Sequence, residues 1–194
     1  VEGVNIGGWH DAGDFDLRIE SQAGECYILA LAYEAFQPEL DVTSIDQINR
    51  ITEIHQADGK NDLLQQVENG ALSVVNSYLA LGRLYRGIIC NGLRQYVLLG
   101  DASAMTDGEI GNDDDRWIFT EDNPMREMST AAQLAATSRV LKGFNDTLSI
   151  HCLNIAREIF EHTGKDNPRI AFAKIQAAVE LYLTTQEQPY LDYL

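Results

Sequence analysis

Apolar residues recur at helical spacing through most of the chain after residue 20, and no other feature of the sequence limits the fold as strongly. The pattern predicts helices over residues 21–36, 61–82, 129–144, 145 to about 163 and 169 to about 185, with a further helix opening at 189–194. Asn61 is a suitable N-cap for the second of these helices, and Gly82 is a suitable stop. Helices of about 15 to 20 residues joined by short loops form antiparallel hairpins, so we expect an all-α fold.

Two segments lack this periodicity, residues 1–20 and residues 100–128, and both are rich in acidic and polar side chains. No alternation of period two extends beyond a few positions, and residues 85–99 are predicted only as a short hairpin or a loop. Long irregular segments on a helical scaffold commonly carry functional sites. These two segments are therefore the candidate functional regions, and no second domain is predicted.

The charge balance of the 194-residue chain excludes several classes of partner. Acidic side chains number 30 and basic ones 14, which gives a formal net charge of −16. This charge repels phosphates and anionic lipid, so we expect no nucleic-acid partner and no membrane partner. No apolar stretch reaches the length of about 18 residues that a membrane-spanning helix requires. A neutral substrate is compatible with the charge.

The cysteines and the N-terminus give only limited information. Cys26, Cys90 and Cys152 are widely spaced and form no Cys-x-x-Cys pair, so no zinc site of that kind is predicted. Cys26 and Cys152 lie in predicted helices and are expected to be buried thiols. The first residues have neither the basic nor the apolar region of a signal peptide, so we expect that any leader was removed.

The most informative segment is residues 7–16, which reads Gly-Gly-Trp-His-Asp-Ala-Gly-Asp-Phe-Asp. Its glycines permit a tight turn on which Asp11 and Asp14 face the same cavity. Two carboxylates so close together raise the pKa of at least one of them, or share a water molecule or a cation. This is the property that a water-activating site needs. Trp9 beside them offers a flat apolar face of the kind that packs against a sugar ring.

The residues alone leave four interpretations of this segment open. The first is a structural turn with exposed acids, and the second is a calcium site formed by Asp11, Asp14 and Asp16, since hard cations take oxygen ligands. The ligand spacing of an EF-hand is absent, however. The third is a zinc site through His10, which has no partner histidine nearby. The fourth is a catalytic pair of carboxylates.

Three blocks of the sequence resemble family 9 of the glycoside hydrolases, the endoglucanase and related family. Residues 7–16 are similar to its Gly-Gly-Trp/Tyr-x-Asp-Ala-Gly-Asp signature, and residues 62–80 are similar to the helix that follows it. Residues 116–164 resemble its Trp-x-x-x-Glu-Asp segment and the alanine-rich helical pair after it. The blocks occur in the family's order and cover most of the chain, and the Asp-Asp-Arg-Trp variant resembles bacterial members.

The resemblance implies part of an (α/α)6 barrel, a toroid of helical hairpins, that hydrolyses β-linked sugar chains with inversion. In this family the second aspartate of the motif, here Asp14, is the general base, and the first, here Asp11, helps to orient the attacking water. An inverting site separates its base and its acid by about 6.5 to 9.5 Å, so that water fits between them. The implied substrate is a β-1,4-linked glucan or a related amino-sugar oligomer, no organic cofactor is implied, and secretion or a periplasmic location is expected.

The general acid is the main departure from the family pattern. In the family it is a glutamate near the far C-terminal end of the barrel, and Glu121 and Glu127 match no such motif. A barrel of twelve helices needs about 400 residues or more. We therefore expect residues 1–194 to be the N-terminal half of a catalytic domain, inactive alone and partnered by a missing C-terminal half. Its exposed inner faces predict self-association when that half is absent.

Four residues are candidate substrate contacts by the same resemblance: Trp9, His10, Arg116 and Trp117. The family often has an Asp-His pair ahead of its loop tryptophan, and residues 112–117 contain no histidine. This departure puts cellulose specificity in doubt and admits an amino sugar, whose cation the negative field would attract. Trp117 either stacks on a sugar ring or pins its loop to the core. His10 is either a substrate contact or a turn histidine.

A function of a different class is also compatible with the sequence. The chain could be a non-catalytic helical module that binds carbohydrate or calcium and keeps the aspartate motif as scaffold. The three adjacent acids at 113–115 are suited to calcium, although no ligand spacing supports a metal site. This alternative predicts that Asp14→Asn in the complete protein leaves turnover unchanged.

Overall fold

The computed structural model describes residues 1–4, 6–11, 16–49, 51–90, 109, 111, 116–163 and 168–194. Within these residues the chain forms six α-helices: α1 (Ile19–Phe36), α2 (Asp62–Leu81), α3 (Pro124–Leu141), α4 (Asp146–His162), α5 (Ala171–Thr185) and α6 (Gln188–Tyr193). A short 3-10 turn at Pro168–Ile170 precedes α5. The prediction of an all-α fold is confirmed.

The described part of the chain also contains five short strands: β1 (Leu17–Arg18), β2 (Thr43–Asp46), β3 (Ile51–Ile54), β4 (Gly87–Cys90) and β5 (Arg116–Phe119). Strands β1, β4 and β5 form an antiparallel sheet in that order, and β2 and β3 form an antiparallel hairpin between α1 and α2. The part of the predicted 85–99 hairpin or loop that is described contains β4, and residues 91–99 lie outside the described residues. Because α1 follows β1 directly, the sheet links the start of α1 through β4 to β5.

Side-chain caps begin three of the helices. The Asn61 side chain accepts hydrogen bonds from the backbone N–H groups of Leu63 and Leu64 at 3.1 and 3.2 Å, as the sequence predicted. Gly82 ends α2 with φ +68° and donates its N–H to the Tyr78 carbonyl. Asparagines also cap α3 and α4. Each such cap stabilises its helix by about 1 kcal/mol.

Helix α3 differs most from its prediction. It begins at Pro124, inside the segment 100–128 that was expected to be irregular, and it ends at Leu141 instead of residue 144. The early start is explained by Asn123, whose side chain accepts the Arg126 N–H at 3.1 Å, followed by proline in the first turn. The early end is explained by Gly143 at φ +86°, which turns the chain toward α4.

Helix α3 is also the centre of the core, and it packs against α1, α4 and α5. Most of its buried residues are small, which lets neighbouring helices approach closely: Ala131, Ala132, Ala135 and Ala136, with Met128, Leu134 and Leu141 as larger members. Cys26 and Cys152 are buried free thiols, as expected. Burial raises the pKa of Cys152 to about 12, so this thiol stays protonated.

Two helices carry apolar residues on two faces. Helix α5 buries Ala173, Ala177 and Leu181, while a second stripe is exposed: Phe172, Ile175, Val179 and Leu183. Helix α1 likewise exposes Ile28 and Leu31 opposite its buried face. Helices with this pattern lie between two layers in a complete domain. In the described part of the chain, no helix combines the length and the apolar composition needed to cross a membrane.

Candidate functional site

Gly7 and Gly8 allow the N-terminal segment to pack closely against α2. Gly8 donates its N–H to the Asn69 carbonyl at 2.8 Å, and the Asn69 side-chain amide donates to the Gly8 carbonyl at 3.2 Å. Gly7 and Gly8 have φ of +68° and +87°, which side chains rarely adopt. A Cβ on Gly7 would lie 2.4 Å from the Asn69 carbonyl oxygen. Glycine at these positions is therefore a requirement of the close approach.

Trp9 is held by polar groups of two helices. Gln22 of α1 clamps its backbone, since the Gln22 carbonyl oxygen accepts the Trp9 N–H and the Gln22 amide donates to the Trp9 carbonyl, both at 2.8 Å. The indole N–H donates to Gln66 of α2 at 3.1 Å. The ring lies over Gly70, where an added Cβ would be 2.4 Å from the ring carbon Cζ3. Trp9 is thus fixed in position and packs against the hydrophobic core.

The acidic motif begins and ends at an antiparallel β-bridge between Asp11 and Asp16. The Asp11 N–H donates to the Asp16 carbonyl at 2.8 Å. Asp11 is an exposed residue. Asp14, the predicted base, lies outside the described residues, so its role stays a prediction.

Asp16 is fully buried, and two arginines accompany its carboxylate. Arg18 donates to Oδ2 of Asp16 from both Nε and Nη2, at 3.2 and 2.9 Å. Nη1 of Arg116, at the start of β5, lies 3.8 Å from Oδ1 of Asp16. Because a buried charge is costly unless it is paired, these ion pairs explain how the carboxylate is accommodated. The sequence suggested Asp16 only as a calcium ligand, because its partner Arg116 lies far away in the chain. Arg18, two residues from Asp16, was not predicted as its partner either.

His10 is exposed at the surface and borders two clefts. Partial burial of its ring and, to a smaller extent, the positive charge of Arg116 lower the pKa of His10 below its usual value. The imidazole is therefore neutral at neutral pH and can donate or accept a hydrogen bond. In the described part of the chain, no group of three or more His, Cys, Asp or Glu side chains is arranged to hold a metal ion. The acids at 113–115 lie outside the described residues.

The first of these clefts brings three of the predicted site residues together. It has a volume of about 480 Å³, and its walls are formed by Trp9, His10, Asp11, Ser21, Gln22, Glu25, Leu29 and Gln66. The second cleft, of about 340 Å³, lies against the β1–β4–β5 sheet and is lined by Val1, Val4, His10, Leu17, Ile88, Arg116 and Ile118. His10 thus connects the cleft of the acidic motif to the cleft that contains Arg116. Glu25 is an additional carboxylate that the sequence did not single out.

Trp117 lies on β5, beside the residue that pairs with Asp16. Its exposed fraction is 52%, and its ring stacks on that of Phe119 with 6.5 Å between centroids and 24° between planes. Trp117 is therefore outside the buried core, and its ring remains accessible to a ligand. Strand β5 pairs with β4 through Ile89, which holds the tryptophan in register with the sheet.

A network of four charged residues braces the strand that carries Trp117. Nη1 of Arg86 donates to both oxygens of Glu20 at 2.6 Å, and Nη1 of Arg126 lies 2.8 Å from the same carboxylate. Both arginines also pair with Glu121, just after β5. Burial raises the pKa of Glu20, but the hydrogen bonds at the helix start and the two arginines outweigh it, so this pKa lies below its usual value. No local pattern reveals this network, because its members come from three separate segments of the chain.

The family model for "Glycosyl hydrolase family 9" matches residues 3–194. Among solved structures, a metagenome-derived family 9 endoglucanase is 20% identical with a TM-score of 0.66, and the match covers 96% of this chain and 34% of that one. The endoglucanase from the termite Nasutitermes takasagoensis is 19% identical with a TM-score of 0.61, covering 96% and 43%. A Bacteroides ovatus family 9 protein is 16% identical with a TM-score of 0.69, covering 96% and 36%.

The chain therefore spans well under half the length of these structures. Among curated protein sequences, none is significantly similar to it. At these identities the structural likeness establishes the fold, which is part of an (α/α)6 barrel. Because the family model covers nearly every residue, the chain belongs to glycosyl hydrolase family 9.

Proposed function

We propose that the protein containing this chain is an inverting glycosidase that cleaves a β-1,4-linked glucan or a related amino-sugar oligomer. Asp14 is its general base, and Asp11 orients the attacking water. The observation that carries the proposal is the cleft of about 480 Å³ in which Asp11 lies beside the fixed ring of Trp9. A carboxylate next to an aromatic ring suits a site that stacks a sugar and activates water against it.

In this mechanism the ionised Asp14 carboxylate removes a proton from a water molecule, whose oxygen attacks the anomeric carbon. The glycosidic C–O bond breaks, and its electrons move to the leaving oxygen, which takes a proton from the general acid. The attack comes from the face opposite the leaving oxygen, so the configuration inverts. The acid is a glutamate outside residues 1–194, so we propose that this chain is inactive without the C-terminal half of its domain.

The proposed substrate contacts divide into aromatic and polar groups. Trp9 and the exposed ring of Trp117 stack on sugar rings. The neutral His10 imidazole and the Arg116 guanidinium bind hydroxyl oxygens in the adjoining cleft. Glu25 and Asp11 in the first cleft offer carboxylates to the ammonium group of an amino sugar. The neighbours' description as endoglucanases makes an unmodified β-glucan the first substrate to test.

Two further parts of the proposal concern the setting of the enzyme. A polymeric sugar substrate lies outside the cell, so we propose that the protein is secreted or periplasmic. Acid–base hydrolysis by carboxylates needs no organic cofactor, and none is proposed. Calcium is not assigned a role.

The test uses the natural full-length polypeptide with cello- and chito-oligosaccharides. We expect hydrolysis whose first product, seen by NMR, is the α-anomer, and a loss of about 10²- to 10⁴-fold in kcat for Asp14→Asn, the range typical of a general base. Asp192→Asn is the matched control, since Asp192 is an exposed aspartate on α6 whose side chain accepts a hydrogen bond from Gln188 in its own helix. Unchanged turnover in Asp14→Asn would contradict the catalytic role and favour a non-catalytic sugar-binding module.

A further inference from the structure

Asp16 is a buried carboxylate for which the proposed chemistry has no direct use. It is two residues from the proposed base, its exposed fraction is 0%, and it is paired with Arg18 and Arg116. Removing a carboxylate from water is unfavourable, and its pairs stabilise it only when the geometry is maintained. A buried charge at this position is therefore a specific feature of the site.

Asp16 joins the two ends of the motif and also connects the motif to the sheet. Its backbone carbonyl accepts the Asp11 N–H at 2.8 Å, so the two ends of the motif are joined. Its side chain reaches Arg116 of β5, and the next residue, Leu17, pairs with Ile88 of β4. The closing end of the motif is thus tied to both other strands of the sheet.

We propose that Asp16 is a positioning residue, whose carboxylate, through its ion pairs with Arg18 and Arg116, fixes both ends of the segment that contains Asp11 and Asp14. The inference rests on the proposed function, because the position matters only if these aspartates act on water. Small displacements of reacting groups are costly: a shift of about 1 Å can reduce turnover by about 10²-fold. Asp16 therefore supports catalysis without touching the substrate.

The same cluster sets the electrostatic potential at the motif. In the described residues, the charged groups paired with the Asp16 carboxylate include Arg18, two residues along the chain, and Arg116 on β5. Two titratable residues of the N-terminal segment lie nearby: Asp11 bonds the Asp16 carbonyl through its backbone N–H, and His10 is affected by the charge of Arg116. Asp16 neutralises one of the two guanidinium charges. Its loss makes the potential more positive, which favours ionised carboxylates, whereas loss of Arg18 makes the potential more negative.

The experiment compares Asp16→Asn with Arg18→Met in the full-length protein, because both break the same ion pair with opposite changes of charge. For Asp16→Asn we expect kcat to fall about 10- to 100-fold while KM changes less than about twofold. The acid limb of the pH profile of kcat/KM reports the pKa of the base. It should move to lower pH in Asp16→Asn and to higher pH in Arg18→Met, by about 0.3 to 1 pH unit, the size of shift that the loss of one nearby unit charge typically produces.

Two matched controls separate this role from a loss of stability. Arg157→Met removes a guanidinium of the same side-chain exposure, 33%, from the Glu187 pair between α4 and α6. Glu180→Gln neutralises another buried, arginine-paired carboxylate, whose side chain is 7% exposed. Neither residue borders the two clefts of the site, so neither change should move the acid limb.

The inference would be overturned if the acid limb moved in the same direction in both test variants, or in neither. An ion pair with a purely structural role would weaken the fold in both variants, and the shift would not depend on which charge is removed. Arg18→Met keeps the inference testable if Asp16→Asn does not fold. The outcome is distinguishable from failure of the proposed function: that failure would appear as an inactive wild-type protein or a fully active Asp14→Asn variant. Both are measured before the ion pair is examined.

Discussion

Replacing Gly70 by alanine is expected to destabilise the protein, although alanine is the better helix former. Gly70 lies in the interior of α2, where the Trp9 ring and the Cys26 sulfur approach its backbone. An added Cβ would lie 2.4 Å from Cζ3 of Trp9 and 2.5 Å from Sγ of Cys26. Carbon atoms in favourable contact are about 3.5 to 4.0 Å apart, so both neighbours would have to move by about 1 Å.

The magnitude follows from two opposing effects. Overpacking a filled interior costs about 1 to 3 kcal/mol, and two simultaneous overlaps place this site at the upper end. The higher helix propensity of alanine offsets about 1 kcal/mol of this loss. We therefore expect the free energy of unfolding to fall by about 1 to 2 kcal/mol, and the displaced Trp9 to raise KM for substrates that stack on it.

Gly24 offers a matched control in the interior of α1. Its added Cβ would meet only the side-chain amide of Gln133, at 3.9 Å, which is an ordinary contact. Gly24→Ala should therefore stabilise the protein by up to about 1 kcal/mol. Urea denaturation followed by circular dichroism compares the two variants. Stabilisation by both would refute the reasoning from close contacts, and equal destabilisation by both would refute the propensity argument.

Two further predictions concern groups outside the proposed site. Burial, followed by the charge of Glu158 and a hydrogen bond to it, raises the pKa of Tyr78 from 10.0 to about 12. A pKa that is higher in the folded state means that the protonated phenol favours folding. The difference in the free energy of unfolding between wild type and Tyr78→Phe should therefore be constant below pH 10 and decline between pH 10 and about pH 12. Urea denaturation at each pH measures this difference. Arg139→Met should lower the free energy of unfolding by about 3 kcal/mol, because it leaves the nearly buried Glu180 without its cation. In Arg139→Met combined with Glu180→Gln, thermal unfolding should show part of the loss restored, and no restoration would argue against the pair.

The helices were predictable because their signals are local. Apolar spacing, the Asn61 cap and the Gly82 stop all lie within a few residues of the boundaries that they define. The start of α3 carried an equally local signal, Asn123 followed by proline, which the prediction overlooked in favour of the acidic composition around it. The error was therefore one of interpretation and not of missing information.

The strands and the ion pairs were not predictable in the same way. Among the described residues no strand exceeds four residues, which is too short for alternation to stand out, and β1 pairs with β4 about seventy positions later in the chain. Arg116, the second partner of Asp16, and Arg86, a partner of Glu20, lie about as far away or farther in the chain. A pairing of charges at such separations depends on how the helices pack, and a single sequence does not encode it in any local pattern.

The acidic motif shows why both kinds of information are needed. Its glycines permit a tight turn, but glycine also has the greatest backbone freedom in the unfolded state. The motif therefore needs contacts with other parts of the chain to keep one conformation. The structure supplies that geometry from outside: the Gln22 amide clamps Trp9, the Asn69 amide holds Gly8, and two arginines hold Asp16. The sequence thus indicates where chemistry is expected, while the helices and the sheet determine whether the carboxylates are held in place for it. Substitutions in these supporting residues should therefore alter turnover even though none of them lies within the acidic motif at residues 7–16.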